Sequence, residues 1–124
     1  MCDYYSKNHE KLIHSLNVKA MSRKKTLIKY LPLGTVFSLT SFSHPLSSIL
    51  SIALPQLLLG NCVLSKGSTS TPGISKIIEK IMYSSGFESG EYQNCFFNRE
   101  QSVEAIARSE VIGVSVIGST SVGK

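Results

Sequence analysis

The sequence predicts an α/β fold with a parallel sheet. Short β-rich runs alternate with longer apolar or amphipathic runs from residue 35 to residue 117, as in strands joined by crossover helices. The last run, Val111–Ile117, is rich in β-branched residues, and Gly or Pro punctuates the earlier ones. A hydrophobic content of 42% over 124 residues is enough for one domain with a buried core.

Charge divides the chain into a basic leader, residues 1–29, and a neutral domain, residues 30–124. The leader holds the whole excess of the 13 Lys and Arg residues over the 8 acidic residues, because the two kinds of residue are equal in number in residues 30–124. Residues 2–16 are predicted to be helical and residues 17–25 to be a polar connector. The run Arg23-Lys24-Lys25 lacks interleaved aromatic residues and base-reading motifs, so we expect a solvated surface and no nucleic acid partner.

The elements of the domain follow from periodicity and from breaker residues. The predicted strands are Thr26–Leu31, Thr35–Leu39, Cys62–Ser65, Tyr92–Phe97 and Val111–Ile117. The predicted helices are Leu46–Leu59, introduced by Pro45 and kinked or split at Pro55, then Ile74–Ser85, capped by Gly86, and Glu100–Ser109.

Two helices have predicted inward faces. For the helix at Ile74–Ser85 that face consists of Ile74, Ile77, Ile78, Ile81 and Met82, with Lys76, Glu79 and Lys80 outward. For Glu100–Ser109 it consists of Val103, Ile106 and Ala107.

The stretch Tyr30–Ser65 contains no Asp, Glu, Lys or Arg, which raises the possibility of a membrane role. Its most apolar part, Leu46–Leu59, is shorter than the roughly 20 residues that a spanning helix needs and contains Pro55 and Gln56. A buried strand followed by a buried helix explains the composition better. A small basic membrane-associated protein remains an alternative.

The three cysteines, Cys2, Cys62 and Cys95, show neither zinc-site nor CxxC spacing, so no metal site is predicted. Cys62 and Cys95 lie in apolar, strand-like runs and are expected to be buried, reduced thiols. Reduced thiols and the lack of a secretory signal favour the cytoplasm.

Ligands of parallel sheets bind beyond the carboxyl ends of the strands, which directs attention to the loops Lys66–Pro72 and Gly118–Lys124. The glycine and hydroxyl residues of Gly118–Gly123 can present backbone N–H groups to an anion. This segment lacks the G-x-G-x-x-G fingerprint but matches P-loop spacing up to Lys124. A truncated P-loop and a flexible polar tail therefore remain alternatives.

Four stretches, in order and at matching spacing, carry a family resemblance. They are Pro32-Leu33-Gly34-Thr35-Val36, Ser41-Phe42-Ser43-His44-Pro45, the run from Leu54 to Lys66, and the run from Val116 to Lys124. Together they resemble the aldehyde dehydrogenase superfamily, and the leader is more loosely similar to its succinate-semialdehyde dehydrogenase branch. The resemblance implies part of a doubly wound NAD(P)-binding domain, with strand–helix order βαβαβαβ after an N-terminal helix.

The resemblance also implies site residues. Lys66 matches a lysine that bonds the adenosine ribose, and Gly118 and Ser119 match the pair where a helix N-terminus meets the pyrophosphate. The helix Ile74–Ser85 matches one wall of the adenine slot. Thr69 stands at a family glutamate that grips the ribose hydroxyls, which implies tolerance of NADP as well as NAD.

Other family positions are altered here. Ser43 occupies the position of the asparagine that stabilises the oxyanion, His44 replaces an aromatic residue and is expected to pack, and Ile117 replaces a threonine.

The resemblance further implies that the chain does not catalyse by itself. In the family a cysteine attacks the aldehyde and a glutamate activates water, and both lie beyond the position of Lys124. Neither the three cysteines nor Glu100, Glu104 and Glu110 match them. We therefore expect an inactive fragment of an enzyme that oxidises an aldehyde, with weak binding of NADP or NAD. The alternatives are half of a split enzyme with a complementing chain, or a homo-oligomer that covers the exposed sheet.

Overall fold

The structure, a computed structural model, describes residues 1–13, 16–18 and 26–124. The predicted basic run at residues 23–25 and most of the predicted connector lie outside the described residues. The elements are α1 (Cys2–Ile13), β1 (Leu16–Val18), β2 (Thr26–Ile28), β3 (Thr35–Thr40), α2 (Pro45–Leu58), β4 (Cys62–Lys66), α3 (Pro72–Ser84), β5 (Tyr92–Asn94), α4 (Arg99–Ile106), β6 (Val111–Ile117) and α5 (Thr120–Gly123).

The main sheet has four parallel strands in the order β5-β4-β3-β6. Strand β3 pairs on one side with β4 and on the other with β6, so Leu39 lies opposite both Lys66 and Val116. The chain steps from β3 to β4 to β5 and then returns across the sheet to β6. This arrangement confirms the predicted parallel sheet with four strands and intervening helices.

The two faces of the main sheet are defined by alternation along its strands. The first, the α2/α3 face, carries Val63 and Tyr92, which pack with Ile49, Ala53, Ile78 and Met82 in the hydrophobic core. The second, the α4 face, carries Phe37 and Leu64. Phe37 is fully buried and stacks on Phe97 at a ring-centroid distance of 6.4 Å.

Helix α2 runs without interruption from Pro45, which takes the first helical turn, to Leu58. Of the predicted alternatives, that Pro55 kinks this helix or splits it, the split is wrong. Pro55 lies in the last turn, where losing one N–H donor removes a single bond near an end that frays anyway. Among residues 1–13, 16–18 and 26–124, no helix combines the length and apolar character needed to cross a membrane.

A buried amide, Asn61, connects the end of α2 to the start of β3. Its Oδ1 accepts from the backbone N–H groups of Leu33 (2.6 Å) and Gly34 (3.1 Å), while its Nδ2 donates to Gln56 (2.8 Å). Gly60 precedes it with a φ of 81°, a conformation that favours glycine. These bonds satisfy part-buried backbone donors and set where β3 begins.

Helices α3 and α4 are delimited by local signals. Pro72 opens α3, and Gly86, with a φ of 98°, follows its C-cap residue as predicted. Asn98 caps α4 through a capping box. Its side chain accepts from the Gln101 N–H at 2.8 Å, and the Gln101 side chain accepts from the Asn98 N–H at 2.9 Å.

Several predicted boundaries are wrong near the leader. Helix α1 ends at Ile13, whereas the prediction extended it to residue 16, and Leu16–Val18 instead pairs antiparallel with Thr26–Ile28. The predicted strand Thr26–Leu31 is correspondingly shorter and lies outside the main sheet. Leu16 fits a helical period as well as a strand, and a single sequence does not show that Ile28, twelve positions later, pairs with it.

Other boundaries differ at strand and helix ends. The strand predicted at Tyr92–Phe97 stops at Asn94, and the helix predicted at Glu100–Ser109 spans Arg99–Ile106. In the latter, Val103 and Ala107 are exposed rather than inward, and the buried position is Ser102, whose hydroxyl donates to the Asn98 carbonyl at 2.6 Å.

In α3 the predicted inward face is too wide. Ile78 and Met82 are buried, but Ile77 and Ile81 are 59% and 53% exposed. Ser75 takes the third buried position. A β-carbon added at Gly67 would meet its Oγ, so the preceding loop packs against this part of the helix. Position 75 therefore needs a small side chain, and the hydropathy pattern of the helix does not predict this requirement.

Candidate functional site

A cavity of about 290 Å³ lies where the carboxyl ends of β3, β4 and β6 meet. Since β3 is between the other two strands, the loops that follow all three strands converge on one corner of the sheet. We call this cavity the corner cavity. Its lining residues are Leu39, Thr40, Ser41, Phe42, Lys66, Ser68, Thr69, Ile117, Gly118, Ser119 and Val122.

The four residues predicted to contact a cofactor all line this cavity. Lys66 ends β4 and Thr69 follows it in the loop before α3, while Gly118 and Ser119 connect β6 to α5. They come from two segments about fifty positions apart in sequence, which the parallel pairing through β3 brings to one corner. The structure thus brings the four predicted residues together in one cavity.

Among the described residues that line the corner cavity, Lys66 is the only charged one. The side chains of Thr40, Ser41, Ser68, Thr69 and Ser119 add hydroxyl groups, and no carboxylate is present in the lining. One cation surrounded by neutral hydrogen-bonding groups favours an anionic ligand with polar oxygens. Thr40 is 8% exposed, and its Oγ1 lacks a partner within the described part of the chain.

The loop from β4 to α3 is held by local bonds. The Ser70 N–H donates to Ser68 Oγ at 3.2 Å, and the Thr71 N–H donates to the Ser68 carbonyl at 3.1 Å. Gly67 lies so close to Ser75 that an added β-carbon would clash with its hydroxyl. This close approach determines the path by which the loop passes from Lys66 to Thr69.

The loop from β6 is short and structured. Ser119 is the N-cap residue of α5, its carbonyl accepts from the Val122 N–H at 3.0 Å, and its hydroxyl lies 2.9 Å from that of Ser121. Residues Thr120–Gly123 form a helical turn. The P-loop alternative is not supported, because a P-loop keeps the residues between its two glycines open around a phosphate.

Ser43, which the resemblance predicted to occupy the position of an oxyanion asparagine, lies just outside the corner cavity. It is exposed in the loop between β3 and α2, and its Oγ is 3.2 Å from that of Ser41, which does line the cavity. Residues Thr40, Ser41 and Phe42 were not predicted as lining residues. They line the cavity because β3 lies between β4 and β6, an order that the structure reveals and the list of predicted strands does not.

None of the cysteines lines the corner cavity. Cys62 begins β4, at the opposite end of the sheet, and Cys2 is exposed in α1. Cys95 is buried; burial raises the pKa of its thiol, and a backbone hydrogen bond at Phe97 and the charge of Lys66 oppose that increase. A protonated, buried thiol is a poor nucleophile.

The acidic residues of α4 and the following turn lie elsewhere as well. Glu104 and Glu110 line a second cavity of about 530 Å³ under α4, together with Arg108 and with Thr35 and Val111 from the amino ends of β3 and β6. We call it the α4 cavity. Within the residues that the structure describes, His, Cys, Asp and Glu side chains form no group of three or more able to hold a metal ion.

Comparison with known proteins adds independent information. The chain is 31% identical over 96 residues to the NADP(+) succinate-semialdehyde dehydrogenase of Deinococcus radiodurans, a match that covers 77% of this chain and 20% of that protein. It is 24% identical over 123 residues to the NAD(P)+ succinate semialdehyde dehydrogenase of Escherichia coli, covering 99% and 26% respectively.

The fold has matching solved structures. The succinic semialdehyde dehydrogenase of Streptococcus pyogenes, solved with NADP+, superposes with a TM-score of 0.83 at 22% identity over 90% of this chain and 24% of that one. The chain therefore spans about a fifth to a quarter of the length of these relatives. The model of the aldehyde dehydrogenase family matches residues 1–124. Because that match covers the whole chain, the protein belongs to the aldehyde dehydrogenase family.

Proposed function

We propose that the corner cavity binds the adenosine and phosphate portion of NADP or NAD. The observation that carries the proposal is the convergence of Lys66, Thr69, Gly118 and Ser119 on one cavity at the carboxyl edge of a parallel sheet. The names of the relatives from Deinococcus radiodurans and Escherichia coli, which include NADP(+) and NAD(P)+, support the same cofactor class.

The size and chemistry of the cavity fit part of a dinucleotide. About 290 Å³ is at the small end of ligand pockets, which suits an adenosine phosphate better than a whole cofactor. Lys66 would donate to a ribose or phosphate oxygen, and the backbone of Gly118 and Ser119 would approach the phosphates. The unpartnered hydroxyl of Thr40 is a further group that a polar ligand or water could satisfy. Binding is expected to be weak, since the cavity is open and its loops are exposed.

The lack of a carboxylate favours a 2′-phosphorylated cofactor. Thr69→Glu would place a negative charge beside a 2′-phosphate and should weaken NADP binding roughly tenfold relative to NAD. Ser70→Glu is the matched control, because it adds the same charge to the same loop at an exposed residue that does not line the cavity. Calorimetric titration of both variants with both cofactors tests this. If the ratio of the Kd for NADP to the Kd for NAD is equal in the two variants, Thr69 is not the residue that discriminates between the cofactors.

We further propose that these 124 residues do not oxidise an aldehyde by themselves. When bound, the nicotinamide of the cofactor supplies the hydride acceptor, but no thiol lines the cavity and the one buried thiol has a raised pKa. Purified chain mixed with succinate semialdehyde and NADP or NAD should form no reduced cofactor above background. Measurable turnover would refute this part of the proposal. The free thiols of all three cysteines are consistent with a cytoplasmic location, which we also propose.

A further inference from the structure

Three neighbouring strands of the main sheet carry short polar side chains at the same level. Ser38 of β3 lies in register with Ser65 of β4, and Ser65 lies in register with Asn94 of β5. Since side chains alternate along a strand, Ser65 points to the same face as Val63, two positions earlier, which belongs to the core of the α2/α3 face. Ser38, Ser65 and Asn94 therefore form a row beneath α2 and α3, which we call the polar row.

The polar row is buried. Ser38 and Ser65 are 1% and 0% exposed, and both polar atoms of the Asn94 side chain are shielded from solvent. Helix α3 closes the outer end of the row, because Glu79 Oε1 accepts from the Asn94 backbone N–H at 2.8 Å. Thr40, two positions beyond Ser38 on the same face of β3, lines the corner cavity instead. The row is thus a region of the interior that lies next to the corner cavity but is not part of its lining.

The polar atoms of the row have no protein partner in the described part of the chain. These atoms are Ser38 Oγ, Ser65 Oγ, Asn94 Oδ1 and Asn94 Nδ2, and the buried Tyr92 hydroxyl near Ser65 also lacks a partner. A buried polar group that stays unpaired lowers the folding equilibrium constant roughly tenfold. Several such groups together would remove much of the stability that a domain has. Protein interiors satisfy groups of this kind with ordered water.

We propose that the polar row binds internal water, with one molecule between Ser38 and Ser65 and another between Ser65 and Asn94. Neighbouring strands are about 4.8 Å apart, and an O–H···O hydrogen bond spans about 2.8 Å, so one water reaches both side chains of each pair. A water molecule donates and accepts hydrogen bonds, as hydroxyl and amide groups do. This inference does not depend on the proposed function.

A metal cation fits the polar row less well. A cation binds lone pairs, whereas Asn94 Nδ2 only donates. The row also contains no carboxylate to balance a buried charge, and the adjacent Glu79 already accepts from the Asn94 backbone N–H. Water is therefore the ligand that suits the groups of the row.

The first test measures the water itself. Oxygen-17 magnetic relaxation dispersion detects water molecules that stay inside a protein for longer than its tumbling time. Ser65→Val fills the space beside both proposed waters and should reduce the dispersion amplitude by the contribution of about two molecules. Ser102→Ala is the control. It also removes a buried serine hydroxyl, but one that donates to the Asn98 carbonyl at 2.6 Å, so the amplitude should stay unchanged. An amplitude that Ser65→Val does not reduce would overturn the inference.

Urea unfolding gives a second test, which does not require that the valine variant folds. Ser65→Ala removes a hydroxyl that is bonded to water and should lower the folding equilibrium constant about fivefold, whereas removing an unpaired buried hydroxyl would raise it. Tyr92→Phe leaves both proposed waters with their partners in the row and should change the constant less than about twofold.

A higher folding constant in Ser65→Ala would contradict the proposed waters. The same holds for a wild-type constant that rises in potassium chloride but not in tetramethylammonium chloride at equal ionic strength, since that result would assign the polar row to a cation.

Discussion

The two faces of the main sheet are covered unequally. On the α2/α3 face, Val63 and Tyr92 are 1% and 0% exposed beneath two helices of 14 and 13 residues. On the α4 face, only Phe37 is as deeply buried, and Val114 remains 45% exposed. The α2/α3 face therefore contributes most of the free energy of unfolding of the chain. The α4 face is the one whose stability would increase most if further polypeptide covered it.

The largest expected change in the free energy of unfolding comes from a pair of matched Val→Ala substitutions, one on each face of the sheet. Val63→Ala removes buried methyl groups from the α2/α3 core and should lower the free energy of unfolding by about 2 kcal/mol. Val114→Ala, in the exposed position on the α4 face, should cost less than about 0.5 kcal/mol. Urea unfolding of both variants measures the difference. Equal costs would show that the faces are equally packed.

The loop that lines the corner cavity offers the next test. A β-carbon at Gly67 would clash with Ser75 Oγ, so Gly67→Ala should destabilise the chain by about 1–2 kcal/mol. Gly73→Ala is the control: no atom lies within 4 Å of the added carbon, and alanine favours a helix. Adding Ser75→Ala should recover part of the loss, and an undiminished loss in the double variant would exclude this contact as the cause. Thermal unfolding of the three variants provides the measurement.

A smaller effect is expected from the cap of α4. Asn98→Ala removes the side-chain acceptor of the capping box and should cost about 1 kcal/mol. Because α4 covers only part of its face, we expect the loss to appear mainly as faster hydrogen exchange in α4 and not in α3. Faster exchange spread evenly over both helices would contradict the independence of the two faces.

At neutral pH, Tyr92→Phe should change the free energy of unfolding least. The buried hydroxyls of Tyr92 and Ser65 both lack a hydrogen-bond partner among the described residues, so the substitution removes no such bond. Burial raises the pKa of Tyr92 from 10.0 to about 12, and the nearby Ser65 hydroxyl partly offsets that increase. The folded state thus keeps a proton that the unfolded state loses, so stability should fall as pH rises above 10.

In the Tyr92→Phe variant this alkaline decline should be reduced, whereas Tyr83→Phe, at a 41% exposed residue, should retain it. Urea unfolding at neutral and alkaline pH, combined with the ultraviolet absorbance of tyrosinate, checks both. An unchanged alkaline decline in Tyr92→Phe would assign it to other groups.

The order of the elements could be predicted from the sequence because their signals are local. Pro45 and Gly86 mark helix ends, and the apolar run at Val111–Ile117 marks the last strand. The corner cavity followed from one rule about strand ends, together with the family resemblance that singled out Lys66 and Gly118. These predictions agree with the structure because residues that are close together in the sequence determine each of them.

What could not be predicted depends on contacts between distant residues. The burial of Ser75 rather than Ile77 depends on how closely the loop at Gly67 approaches α3. The hairpin from Leu16 to Ile28 depends on pairing across an intervening segment. The contribution of Thr40 to the corner cavity depends on β3 being central, and strand order is not apparent in a list of strands.

The most direct test of the central claim is a nuclear magnetic resonance titration with adenosine 2′,5′-bisphosphate. Shifts should be confined to the corner cavity, at residues 39–42, 66–69 and 117–122, and Lys66→Ala should weaken the binding while Arg108→Ala, at the α4 cavity, leaves it unchanged. Shifts centred on Thr35, Gln101 and Arg108, or none at millimolar ligand, would contradict the claim that the corner cavity is a nucleotide site.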